Sequence, residues 1–157
     1  MSPYILFVSI GEIFVDLTKT YPRSVHDKWL GIVQLGRALD KAKAKAFGNL
    51  GEYNYDCPMD KGVFEFLGID GEEFLAKVKN ASSDAEVESY AKQFIDKKSP
   101  DEIERWNREW VTSNDSSEFF LKLRDQIAPD RTDVTNWADL LDLDEKRAVP
   151  KRETSAV

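Results

Sequence analysis

Residues 24–49 read SVHDKWLGIVQLGRALDKAKAKAFGN, and this stretch decides the expected fold. Its apolar residues recur at steps of three and four, which places them on one face of an α-helix. They are Ile32, Leu35, Leu39, Ala42 and Ala46. Ser24, with Asp27 three positions later, predicts that this long amphipathic helix begins at a capping box with Asp in the place of Glu. The glycines that follow, Gly48 and Gly51, predict where the helix ends.

The rest of the chain repeats the pattern of a cap followed by helical periodicity. Helix starts are expected at Asp60, Asp70 and Ser83, and two further helices are expected in residues 117–129 and 133–147. The clearest start combines a cap, a proline at the first helical position and a capping-box glutamate. These residues are Ser99, Pro100 and Glu102. The sequence therefore predicts an all-α, single-domain fold of about seven helices joined by short capped turns.

The two chain ends differ from this helical body. Residues 1–15 form an N-terminal extension, residues 16–149 the helical domain, and residues 150–157 a tail that is expected to be disordered. The extension contains an apolar run from Tyr4 to Ile10, for which a short strand, an added helix turn or a packed arm are the alternatives. The run lacks a basic flank and is shorter than the ~20 residues of a membrane helix, so neither a signal peptide nor a membrane anchor is expected.

Composition excludes several classes of function. The chain has 157 residues and a net charge of -7, so binding to nucleic acid or to anionic membranes is disfavoured. One cysteine cannot form an internal disulfide, which favours a cytoplasmic location. One cysteine and one histidine cannot build a standard zinc site, and we find no motif for a nucleotide or another cofactor. We therefore expect no metal, no cofactor, no nucleic acid and no membrane partner.

The expected first helix carries an unusual set of charges. Arg37, Lys41 and Lys45 are four residues apart and form a cationic stripe, while Asp40 lies beside it and Lys43 lies near the apolar face. A solvated helix surface is the common meaning of such a charge run. The alternative is an anion-binding site, because the stripe is basic within an acidic protein.

The loop that follows, FGNLGEYNYDCPMDK at residues 47–61, concentrates polar and reactive side chains. Tyr53 and Tyr55 are two residues apart, so in an extended segment both rings lie on the same side. Cys57 precedes Pro58 close to an expected helix start, where a thiol can become nucleophilic. The alternatives are a covering of the core by the two rings and a buried, structural cysteine.

Four stretches together resemble a known family of small bacterial proteins that carries only a domain-of-unknown-function label. They are DLTKTYPRS, LDKAKAKAFGNLGEYNYDCPMD, FFLKLRDQIAP and TDVTNWADLLDLDE. The resemblance covers about residues 16–149. The family pattern falls on Pro22, Arg23, Ser24, Asp40, Lys41, Gly51, Tyr53, Tyr55, Cys57, Pro58 and Asp60. Lys43 stands where the family has arginine, which keeps the charge and loses the planar fork. The resemblance implies no activity, but it marks residues 37–60 as a segment with a role beyond turning the chain.

From these residues we form the hypothesis that the helix–loop segment binds, and in its stronger form converts, a small anionic or polar metabolite. The expected ligand-binding residues are Arg23, Arg37, Lys41, Lys43, Tyr55 and Asp60. The expected catalytic residues are Asp40 as base or orienting group, Tyr53 as acid, and Cys57 as nucleophile.

The alternative is a non-catalytic helical interaction or regulatory module. In it the same segment is structural: Asp40 pairs with a lysine and Asp60 caps a helix. A partner or homodimer interface would then lie on the helix of Trp106 and Trp110 or on residues 1–15. Redox sensing by Cys57 is a third hypothesis.

Overall fold

A computed structural model describes residues 14–152, and this part of the chain forms seven α-helices, which confirms the all-α fold. We number them α1 Leu35–Ala46, α2 Pro58–Leu67, α3 Gly71–Asn80, α4 Asp84–Ile95, α5 Pro100–Thr112, α6 Glu118–Ile127 and α7 Trp137–Asp144. Residues 1–13 and 153–157 lie outside the described chain, and so does the apolar run of residues 4–10. No helix within residues 14–152 is long and apolar enough to cross a membrane.

The expected start of the first helix at Ser24 is wrong, because α1 begins at Leu35. The chain between them turns back on itself at residues with positive φ. Leu30 has φ 53° and Gly31 has φ 79°, and the N-cap residue Gln34 has φ 68°. A right-handed helix cannot pass through such residues.

The Ser24–Asp27 pattern makes a local turn in place of a helix start. The backbone N–H of Ser24 donates to Asp27 Oδ2 over 3.1 Å, and the N–H of His26 donates to Ser24 Oγ. The following residues Trp29 and Ile32 form an isolated antiparallel bridge. The same side-chain-to-backbone bonds that cap a helix can close a turn, and here they do.

Most of the other helix starts lie where the capping residues predict them. Asp70 accepts from the backbone N–H groups of Glu72 and Glu73, and Ser99 forms a full capping box with Glu102. The N-caps of α4, α6 and α7 are Ser83, Ser117 and Asn136. Short-range chemistry therefore determines where these helices begin.

Helix α2 begins earlier than predicted. Cys57 is its N-cap and Pro58 its first residue, so Asp60 lies within the first turn. The Asp60 carboxylate does not cap the helix in the expected way. It accepts from the backbone N–H of Asp56, which precedes the helix.

Helix α1 lies at the centre of the molecule. All of residues 35–44 are buried, and α1 contacts both α2 and α3. Its apolar face packs on a core that includes Val63 and Phe64 of α2 and Phe74 of α3. The periodicity of the sequence correctly predicted this apolar face.

The charged residues of α1 are also buried, so the expected solvated stripe is wrong for most of its length. Arg37 is 3% exposed, Lys41 is 4% exposed and Lys43 is 5% exposed, whereas Lys45 is exposed. A central helix has no free face. Its cations are therefore enclosed by other parts of the chain and paired there, as buried charges require.

A second, smaller core joins the last two helices. Phe120 of α6, Leu140 of α7 and Val134 of the loop between them are buried together. Trp137 packs against them. Helix α7 also contacts α5. This arrangement brings the C-terminal part of the chain back over α1 and the loop before α2.

The tryptophans of α5 pack against α2 and against each other. Trp106 stacks on Phe66 of α2 with ring centroids 4.7 Å apart, and Trp110 stacks on Trp106 at 5.0 Å. Trp110 lies so close to Gly62 that a Cβ atom there would lie 2.1 Å from the indole ring. Close packing of α5 against α2 therefore requires glycine at this position.

The described chain extends past the predicted domain boundary at residue 149. Arg131 donates to the carbonyl of Pro150, and the backbone N–H of Arg152 donates to Asp133 Oδ2. Arg152 also pairs with Asp139. Residues 150 and 152 thus contact the helical body, while residues 153–157 of the expected tail lie outside the described chain.

Candidate functional site

The polar residues of α1 meet the loop of residues 47–57 and the end of α7 around one open cleft of about 800 Å³. We define the cleft floor as its buried lining residues and the cleft rim as its exposed acidic ones. The floor consists of Gln34, Arg37, Lys41 and Glu145. The rim contains the carboxylates of Glu52 and Asp144.

Arg37 and Glu145 form the first of two buried ion pairs in the floor. The guanidinium donates two parallel hydrogen bonds, from Nη1 to Oε1 over 2.8 Å and from Nη2 to Oε2 over 2.7 Å. Each residue is 3% exposed. Tyr53 donates its hydroxyl proton to Glu145 Oε2 over 2.8 Å, and Arg147 also donates to this carboxylate. Glu145 thus connects the end of α7, α1 and the loop.

Lys41 and Asp60 form the second pair. Lys41 Nζ lies 2.7 Å from Asp60 Oδ2, and the Asp60 side chain has no exposed surface. Lys41 Nζ also lies 3.3 Å from Cys57 Sγ, which places an ammonium group against the only thiol of the chain. Cys57 is partly exposed and lines the cleft.

Gln34 combines two uncommon features in one residue. Its backbone is in the left-handed region at φ 68°, which disfavours side chains other than glycine, asparagine and aspartate. Its side chain is 1% exposed, and Nε2 donates to Asp60 Oδ1 over 3.0 Å. The other amide atom, Oε1, is buried without a hydrogen-bond partner. Because Nε2 is fixed by a carboxylate, Oε1 is left as an unused, buried acceptor on a residue that lines the cleft.

The rest of the lining is apolar and aromatic. Trp137 and Leu141 come from α7, Phe119 comes from α6, and Met59 comes from α2. The indole N–H of Trp137 donates to Asp115 Oδ2 over 2.7 Å, which holds the ring in place. The cleft therefore places an aromatic surface near a polar, charge-paired floor, as small-molecule sites commonly do.

Burial and pairing shift the proton affinities of the floor. Burial alone would lower the pKa of Arg37, but the hydrogen bonds and charge of Glu145 outweigh it and raise this pKa. Burial would raise the pKa of Glu145, and the hydrogen bonds and charge of Arg37 lower it below the ordinary value. Both groups are therefore charged at neutral pH.

Tyr53 stays protonated. Burial, the hydrogen bond to Glu145 and the negative charge of Glu145 raise the pKa of its hydroxyl far above the ordinary value. Its proton is directed at Glu145 and away from solvent. Tyr53 therefore offers a ligand its oxygen as an acceptor more readily than its proton.

The structure brings four of the sequence-predicted site residues to the cleft, namely Arg37, Lys41, Tyr53 and Cys57. A fifth, Asp60, supports the floor from behind through Lys41 and Gln34. The roles assigned to these residues stay predictions.

The other sequence-predicted residues lie away from the cleft lining. Arg23 and Asp40 form a bidentate pair, with Arg23 Nη2 3.0 Å from Asp40 Oδ1, so Asp40 pairs with an arginine where a lysine was expected. Lys43 Nζ lies 2.9 Å from Asp84 Oδ1.

Tyr55 is directed away from the cleft as well. Its hydroxyl donates to the backbone carbonyl of Gly71 over 2.6 Å, and its ring packs against Phe64 in the core. The two tyrosines of the loop therefore do not line one pocket together. They belong to different surroundings, since Tyr53 contacts Glu145 at the cleft and Tyr55 contacts Gly71 and the core.

Sequence reasoning missed several residues of the cleft. Glu145 lies 108 positions from Arg37, and Trp137 lies in a helix whose motif was noted without a role. The only available signal was the stretch TDVTNWADLLDLDE, which contains both Trp137 and Glu145 and belongs to the resemblance. Gln34 carried no signal, because its free acceptor is visible only in three dimensions.

No group of three or more metal-binding side chains occurs within residues 14–152. The cleft lining brings together an amide side chain, a phenol, a thiol and paired charges.

An all-α protein with such a cleft fits many classes of function. The comparisons with known proteins identify its family and give no function. The family model DUF5069, described as a domain of unknown function, matches residues 19–147. Because this match covers most of the chain, the protein belongs to that family, as its sequence motifs indicated. A search of curated proteins gives no match.

Proposed function

We propose that the protein binds a small polar metabolite in the cleft between α1, the loop of residues 47–57 and α7. The volume of about 800 Å³ is within the range of small-molecule sites, and the lining combines apolar walls with a few convergent polar groups. The hypothesis formed from the sequence placed the site at residues 37–60, and four of the site residues that it named line this cleft.

The observation that carries the proposal is Gln34. A buried amide oxygen without a partner raises the free energy of the folded protein by about 1–3 kcal/mol, and a left-handed backbone at such a residue adds about 1–2 kcal/mol. Unfavourable features of this kind concentrate at functional sites. A ligand that donates a hydrogen bond to Gln34 Oε1 would offset the first of them.

The ion pairs favour the polar form of the hypothesis over the anionic form. An anion would need unpaired cations, whereas Arg37 is held by Glu145 and Lys41 by Asp60. Breaking either pair would leave a buried charge without a partner, which costs several kcal/mol of stability. The floor is therefore better suited to hydrogen bonding than to neutralising a negative charge.

Chemical conversion of the ligand would depend on Cys57. It is the nucleophilic side chain in the lining, and the neighbouring Lys41 ammonium would stabilise a negatively charged intermediate. Asp40 is paired with Arg23 and does not line the cleft. We therefore assign the stronger, catalytic form of the hypothesis to Cys57 with Lys41. The free thiol also fits the reducing cytoplasm of a bacterium, which we propose as the location.

A second candidate function, the non-catalytic interaction module, is favoured by two observations. The buried pairs of α1 give this segment a structural role, and Phe119 at the edge of the cleft is 70% exposed, as residues of protein interfaces are. In this alternative the cleft binds no metabolite. Size-exclusion chromatography with light scattering would detect a homodimer.

A thermal-shift screen against metabolites, run on the wild type and two tyrosine variants, tests the proposal. Tyr53→Phe removes a hydroxyl that lines the cleft. Tyr90→Phe is the matched control, because its hydroxyl is buried without a partner and lies elsewhere. We expect to find a compound that raises the melting temperatures of the wild type and of Tyr90→Phe equally. The same compound should raise the melting temperature of Tyr53→Phe by less. If no compound shifts any of the three proteins, the interaction module is the better account.

A further inference from the structure

We propose that the ligand of this cleft is an organic cation, a protonated amine, amidinium or guanidinium attached to a flat or apolar body. This inference rests on the proposed function and deepens it, because it names the chemical class of the ligand. It follows from the charges of the floor and rim, from the free acceptor in the floor and from the aromatic lining.

The charges in the floor cancel in pairs. The Arg37 guanidinium is matched by the Glu145 carboxylate, and the Lys41 ammonium is matched by the Asp60 carboxylate, at distances of 2.7 Å in both pairs. At these distances each cation has its field directed into its partner. The floor therefore presents dipoles to a ligand and little net charge.

One more cation, Arg147, lies next to the floor and is also balanced. It donates to Glu145 and to the backbone carbonyl of Pro22, and its Nη1 lies 3.7 Å from Asp142 Oδ1. Asp142 is buried and Oδ1 has no hydrogen-bond partner, so its charge is available to balance Arg147. Arg147, like Arg37 and Lys41, therefore has carboxylate partners.

The carboxylates of the rim are not balanced. Glu52 and Asp144 line the cleft and are exposed, and neither takes part in an ion pair within the described part of the chain. The negative charge of Asp144 already acts on a neighbour, since it contributes to the raised pKa of Tyr53. With the floor neutral, these two carboxylates make the cleft negative, which attracts cations and repels anions.

The unused acceptor of Gln34 favours a ligand with hydrogen-bond donors. Gln34 Oε1 has both lone pairs unused, and the Tyr53 oxygen accepts more readily than it donates. An ammonium or amidinium group carries donors only, so it can satisfy such acceptors without competing for the protons of the floor. A carboxylate or phosphate carries acceptors only and would face Gln34 Oε1 with like partial charge.

The aromatic lining supplies the third element. Trp137 is fixed by its hydrogen bond to Asp115 and by an edge contact with Phe120 at a centroid distance of 5.1 Å. Phe119 lies 6.0 Å from the Trp137 ring on the exposed side. Ordered aromatic rings attract cations to their faces and stack on flat groups. Negative rim, acceptor floor and fixed rings together match a cationic, partly apolar ligand.

Three probes that share one ring isolate the effect of charge. Benzamidine is a cation at neutral pH, benzamide is neutral, and benzoate is an anion. Binding of each to the full-length protein is measured by calorimetry or by chemical-shift changes of the tryptophan indole N–H groups. We expect benzamidine to bind more tightly than benzamide, and benzoate to bind most weakly.

A matched pair of double variants assigns the effect to the rim. Glu52→Gln/Asp144→Asn removes both rim charges, and we expect it to weaken benzamidine binding about fivefold. Asp96→Asn/Glu109→Gln removes two exposed carboxylates that do not line the cleft and should leave binding unchanged. All four positions are exposed, so both variants are expected to fold.

The outcomes separate this inference from the proposed function. The expected order of the probes, with loss in the rim variant alone, supports the cationic ligand. Tighter binding of benzoate in the same cleft would overturn the cationic class and leave a binding site in place. If the two double variants weakened benzamidine binding equally, the cause would be the net charge of the protein. That result would also overturn the cationic class. Failure of all three probes would reject the cationic aromatic class, while the metabolite screen decides separately on the cleft as a binding site.

Discussion

Removing the charge of Asp60 tests whether the buried pairs of α1 hold the fold together. Asp60 is fully buried and accepts from Lys41 Nζ at 2.7 Å, from Gln34 Nε2 at 3.0 Å and from the backbone N–H of Asp56 at 3.1 Å. Asp60→Asn keeps the shape of the side chain and leaves the Lys41 ammonium buried without a counter-ion. Lys41→Met leaves the carboxylate without its cation.

The magnitude follows from burial. Breaking a buried ion pair on one side typically lowers the free energy of unfolding by about 3–5 kcal/mol, because a charge remains in a medium that solvates it poorly. The whole stability of a domain this size is about 5–15 kcal/mol, so either single change removes a large fraction. Replacing both partners removes both charges. We therefore expect Lys41→Met/Asp60→Asn to be at least about 2 kcal/mol more stable than the sum of the single effects predicts.

Urea unfolding followed by tryptophan fluorescence measures all three variants. The pair Glu118–Lys122 is the control, because its side chains are 82% and 71% exposed at a similar distance of 3.0 Å. Glu118→Gln should change the free energy of unfolding by no more than about 0.3–0.5 kcal/mol. Single variants of Asp60 and Lys41 that each cost less than about 1 kcal/mol, or that add without coupling, would refute the reasoning.

Three further predictions concern other parts of the structure. Because Arg37 lowers the pKa of Glu145 in the folded state, ionised Glu145 stabilises the fold above the ordinary carboxyl pKa of 4.5, and this is lost as the pH falls. The stability gap between wild type and Glu145→Gln should therefore narrow in urea titrations below that pH; a constant gap contradicts this. Burial raises the pKa of Tyr53 and of Tyr55 above the ordinary 10.0, so both should resist ionisation at about pH 11 in the folded protein. Their contribution to stability is then lost as the pH rises above 10. Spectrophotometric titration with and without denaturant measures the ionisation of the tyrosines in the unfolded and the folded protein. Equal tyrosinate signals in the two samples at about pH 11 would contradict the prediction. Gly62→Ala should destabilise by about 1–3 kcal/mol despite the better helix propensity of alanine, because its Cβ would overlap Trp110. A rise in the urea midpoint would contradict this packing.

The sequence was informative where a helix start depends on residues close to one another. Asp70 and Ser99 cap their helices as predicted because a cap needs only three or four consecutive residues. The same logic failed at Ser24, where bonds between the Ser24 and Asp27 side chains and nearby backbone N–H groups close a turn. What decides between turn and helix there is the left-handed backbone of Leu30, Gly31 and Gln34, which depends on the surrounding fold.

The candidate site was predictable in its location and only partly in its composition. Arg37, Lys41, Tyr53 and Cys57 line one cleft because they lie on a helix and on the loop that directly follows it. Their chemistry was not predictable, since each cation is neutralised by a distant carboxylate. Glu145, 108 positions after Arg37, is the strongest example.

The burial of the charge stripe shows why periodicity alone misled. Spacing by four assigns Arg37 and Lys41 to one side of a helix, and an isolated amphipathic helix would expose that side. In this central helix, residues 35–44 are instead buried by other parts of the chain. The sequence contained the partners of both cations, but it did not show that they approach α1.

Alkylation of Cys57 tests the central claim, a ligand-binding cleft at this position, most directly. Cys57 is the single cysteine of the chain and lines the cleft, so intact-mass measurement of its reaction with iodoacetamide reports on occupancy of the cleft itself. We predict that compounds which raise the melting temperature also slow this reaction, in proportion to the fraction of protein bound. Compounds that raise the melting temperature and leave the alkylation rate unchanged would show that ligands bind elsewhere and would contradict the account.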